Sequence, residues 1–468
     1  APSLLPWLPL IAIVLDVPAE PTPEVAALAP EFRRARLESS VIDLVRAVLD
    51  APAMIVVDDA HLLDESSLSL LTALAAAPDA TWLVILGGRE SGSWIDSGDG
   101  PRIDLGPLDD IDARALVVAD LDDHALTPTD IRAIVERGAG SPSFLRSLVH
   151  SARSGVAVGE LPDSAGELVA AQVDALEPHQ RTVLRYASVL GMTFDADQLQ
   201  MLVEGKADAR AGLEALRYFV LREGEQYRFE QALVRQAAYE GLPYRVRARL
   251  HGSAARHLEE TSSDPTGISE LLSLHYAHAN ESAPAWKYSV MAGDRARAKF
   301  AYAEAEVLYS RALKSGRHLH GLSPAERGAV FVQLARSQDA IGRLEEAVRS
   351  LREARKRLTG EPLRVADAIA TEASVLRRLG RYAQVRRTVN RGIALLDGMH
   401  EAHADELRSD LKMVVAGMLG YEGRIREALQ WAQEAEVDAQ ASGGTLSMAH
   451  AAASIYWFLL CLGSPERY

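Results

Sequence analysis

Two adjacent carboxylates, Asp58 and Asp59, follow directly on the apolar run Met54-Ile-Val-Val57. An uninterrupted apolar run of this kind reads as a strand buried on both faces, as in a parallel sheet covered by helices. Carboxylates at the carboxyl end of such a strand stand where open α/β sheets bind ligands. There Asp58 would hold the water shell of a Mg²⁺ ion. Asp59 would orient or activate the water that attacks a γ-phosphate, which gives the pair the form of a Walker B element. The plainer reading is a strand that ends in a capped turn, with Asp59 or Asp64 as the cap.

The elements around this pair have to position it. Residues 32–49 carry apolar positions at Leu37, Val41, Leu44, Val45 and Val48, a helical stripe. Ser66–Ala76 reads as a helix, and Trp82-Leu-Val-Ile-Leu86 as a second buried strand that ends in Gly87-Gly-Arg89. The order helix, strand, helix, strand implies a parallel sheet. An arginine at the end of the neighbouring strand can reach a γ-phosphate. Arg89 reads equally as a surface arginine in a Gly/Ser loop. Ser91–Gly100 reads as a mobile loop, with short helices at Ile111–Val118 and Thr129–Arg137 beyond it. Gly140 and Pro142 then make a tight turn in which Ser143 can cap the next helix.

Residues 160–240 read as a compact helical domain with a two-stranded hairpin, Phe219–Arg222 and Gln226–Phe229, around Gly224. Three helices and a wing are a winged-helix layout. Its would-be recognition helix, Ala207–Tyr218, sets Asp208 and Glu214 beside Arg210 and Arg217, which is no basic stripe. The chain's net charge of −15 likewise suits neither nucleic acid nor an anionic membrane. The apolar start, Leu4–Leu15, contains Pro6 and Pro9 and is too short to cross a bilayer. One cysteine, Cys461, excludes a disulfide framework and suits a reducing cytoplasm.

From about residue 245 the chain is helical and repetitive. Phe331, Leu334, Ala335, Gly342, Ala347, Leu351 and Ala354 follow the tetratricopeptide pattern of small residues where paired helices touch. The Ala347 position recurs at Ala305, Val385 and Ala428, and the Gly342 position at Gly380 and Gly423. Ser454–Gly463 reads as the first helix of a further unit, which leads us to expect that the natural protein continues beyond Tyr468. Between Arg343 and Arg391 there are 13 Lys/Arg against 6 Asp/Glu. This is either a solvated helix face or a docking patch for an acidic partner. His275 and His278, three residues apart, read as ordinary helix residues. No HExxH, zinc spacing, nucleophile elbow or GxxxxGK[ST] phosphate loop occurs in the sequence.

Taken in order, five stretches and the repeat array resemble the bacterial STAND signalling ATPases over nearly the whole chain. They are Val56–Asp64, Leu86–Arg89, Gly140–Leu145, Leu161–Ser164 and Phe229–Tyr239. The resemblance implies a P-loop-NTPase-like α/β core, incomplete here, over 1–158, with Walker B and sensor 1. A winged-helix domain over 159–245 and a TPR-like α-solenoid over 246–468 would follow, mostly helical overall. It implies ATP or ADP with Mg²⁺ as cofactor, Asp58 as the Mg²⁺ carboxylate acting through water, and Asp59 as the catalytic one. Arg89 would sense the γ-phosphate, and Gly140 and Pro142 would lie near the base. Gln231 stands where the family usually has a histidine on the bound diphosphate, and it cannot become cationic. The phosphate loop is expected upstream of Ala1.

The segments Pro21–Leu28 and Phe32–Leu37 are most similar to the branch fused to class III adenylate cyclase domains. The alternatives are a transcriptional regulator with its DNA-binding domain outside this chain, and a nucleotide-independent TPR scaffold. The implied partners are a protein or small-molecule inducer on the solenoid and an output domain in the same cytoplasmic polypeptide. No membrane or direct nucleic-acid contact is implied. The chain as it stands is expected to bind nucleotide poorly.

Overall fold

The computed structural model describes residues 2–15, 17, 19–28, 30–49, 51–89, 100–121, 126–203 and 208–463. The loop expected at Ser91–Gly100 lies outside these residues but for its last. So does Ala207, the first residue of the expected recognition helix. The chain divides into two compact units, Ala1–Asp99 with Ser282–Tyr468, and Gly100–Glu281. The boundaries expected at 158/159 and 245/246 both fall inside the second unit.

The proline-rich start forms short pieces, as it must: a 3₁₀ stretch at Pro2–Trp7, α1 (Leu8–Leu15) and α2 (Pro23–Ala27). The helix α3 (Pro30–Val48), strand β1 (Ala53–Val57), helix α4 (Glu65–Ala75) and strand β2 (Trp82–Leu86) follow. The two strands pair in parallel, Ile55 opposite Val84. Asp64 caps α4, its Oδ1 accepting from Ser67 N at 2.8 Å, and Trp82 Nε1 ties α4 to β2 through Leu74 O at 3.0 Å. The expected burial on both faces is not found. Met54, Val56, Leu83 and Ile85 are 63%, 59%, 59% and 41% exposed. Residues two apart share a face, so one face of the pair is open among the described residues.

The second unit runs α5 (Asp110–Asp120), α6 (Pro128–Gly138), α7 (Pro142–Arg153), α8 (Ala165–Ala175), α9 (Pro178–Leu190), β3 (Thr193–Asp195), α10 (Ala196–Val203), α11 (Ala209–Ala215), β4 (Val220–Glu223), β5 (Gln226–Phe229), α12 (Ala232–Glu240), α13 (Tyr244–Thr261) and α14 (Ser269–Ala279). Asp109 caps α5, and a Thr127–Asp130 capping box with Pro128 at the first turn opens α6. The expected hairpin is present, turning at Gly224 in the left-handed region. A third strand missed in the sequence, β3, pairs antiparallel with β5. Phe194, Val220 and Phe229 of this sheet are buried with Val183, Leu184 and Leu213 in one core. The expected recognition helix is shorter than foreseen, ending at Ala215.

The remaining helices are α15 (Ser282–Ala298), α16 (Tyr302–Gly316), α17 (Pro324–Ala340), α18 (Leu344–Arg357), α19 (Pro362–Arg378), α20 (Tyr382–Leu395), α21 (Ala402–Tyr421), α22 (Ile425–Ser442) and α23 (Thr445–Cys461). Consecutive helices pack in pairs from α15/α16 to α21/α22. The residues predicted at helix contacts, Ala305, Ala347, Val385 and Ala428, are all fully buried. Three turns are built alike. Gly342, Gly380 and Gly423 have φ of 78°, 69° and 74°. The amide after each bonds back across the turn: Arg343 N to Gln338 O, Arg381 N to Leu376 O and Arg424 N to Leu419 O, at 2.8, 3.0 and 2.9 Å. A left-handed residue closing a helix in this way favours glycine. The N-terminal piece packs onto the start of this array. Phe300, between α15 and α16, joins the cluster of Leu10, Val25, Leu37 and Val41, and its carbonyl accepts from Ser66 Oγ at 3.1 Å.

Candidate functional site

The parallel strands bring Asp58, Asp59 and the Gly87–Arg89 segment to one edge of the first unit. Gly87 N donates to Val57 O at 2.8 Å, and Ala60 N to Gly87 O at 2.7 Å, so the two strand ends are locked side by side. A Cβ built on Gly87 would lie 3.4 Å from Asp58 Oδ1, which measures how closely the segments run. Asp58 Oδ1 accepts the amide of Asp59 at 2.9 Å. Asp59 has φ 52° and ψ 37°, a left-handed conformation that aspartate tolerates better than most residues. It starts a 3₁₀ turn at Ala60–Leu62 without a side-chain capping bond. The capping duty therefore belongs to Asp64 alone, and both carboxylates of the pair are left exposed to solvent.

His61 stands between the two strand ends. Its Nδ1 lies 3.8 Å from Asp59 Oδ1 and accepts the amide of Arg89 at 3.5 Å. The histidine thus ties the position of Asp59 to that of Arg89, a link the sequence reading did not find. Adjacency in the motif Asp58-Asp59-Ala60-His61 was the only signal for it. Two exposed carboxylates on a rigid edge are hard oxygen donors. That donor set suits Mg²⁺ held through its water shell better than a dehydrated cage. Among the described residues no group of three or more His, Cys, Asp or Glu is arranged to hold a metal directly.

The other predicted site residues lie in the second unit. Ala139 and Gly140 are both left-handed, with φ of 46° and 71°. Gly140 O accepts from Leu108 N at 2.9 Å, and a Cβ on Gly140 would sit 2.5 Å from Leu108 O. This position therefore excludes every side chain. Pro142 takes the first turn of α7, and the cap is Ser141, whose Oγ accepts from Phe144 N at 3.5 Å. The expectation that Ser143 caps this helix is corrected: the helix begins one residue before it. Gln231 stands at the N-terminus of α12, half-buried, without a side-chain capping bond.

One cluster was not foreseen. His275, read as an ordinary helix residue, is buried against His251. The two Nδ1 atoms are 3.0 Å apart, and Tyr239 Oη is 3.0 Å from His251 Nε2. The His278 ring stacks on His251 with centroids 4.7 Å apart. Burial lowers His251 to about 3, with His275, His278, Arg235 and Arg247 adding to the effect. His275 is lowered to about 4 by burial, His278 and Arg235. His251 and His275 are neutral near pH 7 and sit in the core between α12, α13 and α14, with His278 exposed at its edge. His251 comes from 24 and 27 residues before the other two, too far for helical periodicity to reveal the meeting.

Comparison with known proteins supports the repeats directly. The tetratrico peptide repeat family model matches residues 294–389 and 361–441. Among solved structures, the chain is similar to a signal transduction ATPase with numerous domains (STAND) protein with a tetratricopeptide repeat sensor from Pyrococcus horikoshii. The identity is 14%, 94% of this chain and 63% of that one are covered, and the TM-score is 0.41. It is also similar to a Rap protein complexed with competence and sporulation factor, at 11% identity, 75% and 92% coverage and a TM-score of 0.24. The chain thus spans 63% of the length of the STAND protein. No curated protein matches. Among the described residues no helix is long and apolar enough to cross a membrane.

Proposed function

We propose that this chain is the switch-and-sensor part of a multidomain signalling ATPase. A nucleotide–Mg²⁺ site would include the Asp58–Asp59 edge, and the tetratricopeptide array would receive a protein or small-molecule inducer. The observation that carries the reading is the parallel β1/β2 edge. It aligns two exposed carboxylates, free of capping duty, with the Gly87–Arg89 segment of the neighbouring strand. In this role Asp58 orders the metal's water shell, Asp59 accepts a proton from or orients the attacking water, and Arg89 pairs with the γ-phosphate. Mg²⁺ would supply charge neutralisation on the phosphates.

The output domain in the same polypeptide is, on this reading, a class III adenylate cyclase. A transcriptional regulator is the second choice, and the gene's full reading frame separates the two: a cyclase domain upstream, or a DNA-binding domain at either end. A scaffold that works without nucleotide is favoured by one observation: the family model matches only the repeats. Hydrolysis by the full-length gene product separates this from the switch. The switch requires Asp59→Asn to lower ATP turnover at least about 10²-fold, the order of loss expected for a residue that positions the nucleophile. Equal turnover by variant and parent, or no turnover by either, supports the scaffold. Calorimetry of this chain alone with ATP–Mg²⁺ should show weak or no binding; micromolar binding would show that the missing phosphate loop is dispensable.

A further inference from the structure

Most of the basic residues between Arg343 and Arg391 are already spoken for. Arg343 pairs with Glu306 at 2.8 Å, Arg378 with Asp339 at 2.5 Å, Arg381 with Glu345 at 2.6 Å and Arg386 with Glu422 at 3.6 Å. These partners are 36–39 residues apart, one repeat along the array, so the pairs stitch neighbouring repeats together. What they leave is not spread evenly. A groove of about 860 Å³ lies between α18 and α20 over α19. Arg352, Arg355 and Lys356 form one rim and Arg387 and Arg391 the other, with Glu372 as the single carboxylate among the lining residues.

Glu372 is buried and is held by both Arg352 (3.2 Å) and Arg355. Lys356 pairs with the half-buried Glu353 at 2.7 Å. Arg387 and Arg391 stand one turn apart on α20, both exposed, and no carboxylate among the described residues pairs with either. The lining is therefore strongly cationic inside a chain that is acidic overall. Its floor is apolar: Val365 and Ile369 from α19, Ala394 and Leu395 from α20.

We infer that this groove binds an acidic amphipathic helical segment of a partner protein, apolar face on the Val365–Ile369–Ala394 floor and carboxylates against the two arginine rims. Cations one turn apart on both walls match carboxylates one turn apart on a helix laid between them. Arginine on the rims favours paired carboxylates, since its planar fork engages both oxygens. Nucleic acid is the poorer occupant. The lining contains no aromatic ring on which a base could stack, and the chain's overall charge opposes a polyanion of that density. The inference names the partner class for the sensor role proposed above and takes its biological meaning from that reading. Its test uses no nucleotide, so the two stand or fall separately.

The test is fluorescence anisotropy on the full chain at about 0.15 M salt. The probe is a labelled synthetic peptide of about five helical turns, leucine along one face and glutamate elsewhere. The comparison probes are the same composition scrambled to destroy the face, a polyglutamate of equal length, and duplex DNA. Arg387→Glu/Arg391→Glu should weaken the amphipathic peptide at least about tenfold, or about 1.4 kcal/mol. Arg349→Glu, a single charge reversal outside the groove, should alter it less than about twofold. Arg387→Gln/Arg391→Gln should give an intermediate loss, and it carries the comparison if charge reversal disturbs the helical circular-dichroism signal. Equal binding by parent and groove variants, no peptide binding by the parent, scrambled peptide or polyglutamate bound as well as the amphipathic probe, or DNA bound more tightly would each overturn the inference.

Discussion

Asp59, like Asp79, occupies a left-handed conformation that aspartate tolerates better than most residues. It is exposed and makes no capping bond, while Asp64 five residues on does the local structural work. Gly140 shows the opposite relation of residue to role. Its φ of 71° and the 2.5 Å approach to Leu108 O make it obligatory for structural reasons whatever lies near it. Gly140→Ala should therefore destabilise the second unit by about 2 kcal/mol or more, combining a left-handed alanine with a backbone clash. Thermal unfolding would record this as a lowered Tm; an unchanged Tm would mean that the 107–108 segment moves aside freely. The sequence marked Gly140 and Pro142 as a turn but placed the cap at Ser143. Serines at 141 and 143 both flank Pro142, and only the observed helix start distinguishes them.

At the scale of elements, the strand pair and the repeats were legible for different reasons. Apolar runs of four and five residues, Met54–Val57 and Trp82–Leu86, ending in charged or glycine turns announced β1 and β2, and their parallel pairing followed from the helix between them. Burial on both faces did not follow, because it depends on what packs over Met54, Val56, Leu83 and Ile85, and no local pattern encodes that. The repeats were legible because small residues recur where paired helices meet and glycine recurs at each turn. The stitching pairs, such as Arg378 with Asp339, needed the repeat length to be applied to charges as well as to small residues. Val385 sits fully buried in the large core of the array, among Ala354, Ile369, Val389 and Leu411. Val385→Ala should cost about 1–3 kcal/mol. In a linear array each repeat depends on its neighbours, so hydrogen exchange should rise through α17–α22. Protection in the second unit should stay as it was, and a rise there as well would contradict a nearest-neighbour array.

For the molecule as a whole, the buried histidines predict a pH response of the Gly100–Glu281 unit. His251 and His275 have folded-state values of about 3 and about 4, below the ordinary 6.5, because burial first, and then nearby His278 and Arg235, disfavour the charged form. The unfolded chain therefore binds more protons than the folded one between these values. The stability that neutral histidines contribute is present above about 6.5 and is lost as pH falls below it, by at most about 1.4 kcal/mol per pH unit for each ring. The transition of the Gly100–Glu281 unit should move to lower temperature between pH 7 and pH 5. His251→Gln should lower its Tm at pH 7 and flatten that slope; an unchanged slope would place the acid sensitivity elsewhere. Nothing in the sequence foretold this cluster, since residues 24 apart meet only through tertiary packing. By contrast, the order of motifs along the chain already carried the switch reading, and the β1/β2 edge adds geometry to it. Isothermal titration of ATP into the full-length gene product, with and without Mg²⁺, tests that edge most directly. The account predicts that Asp58→Asn weakens ATP binding at least about tenfold with Mg²⁺ present and leaves it unchanged without the metal. Equal affinity of parent and variant in both conditions would contradict a metal–nucleotide role for Asp58.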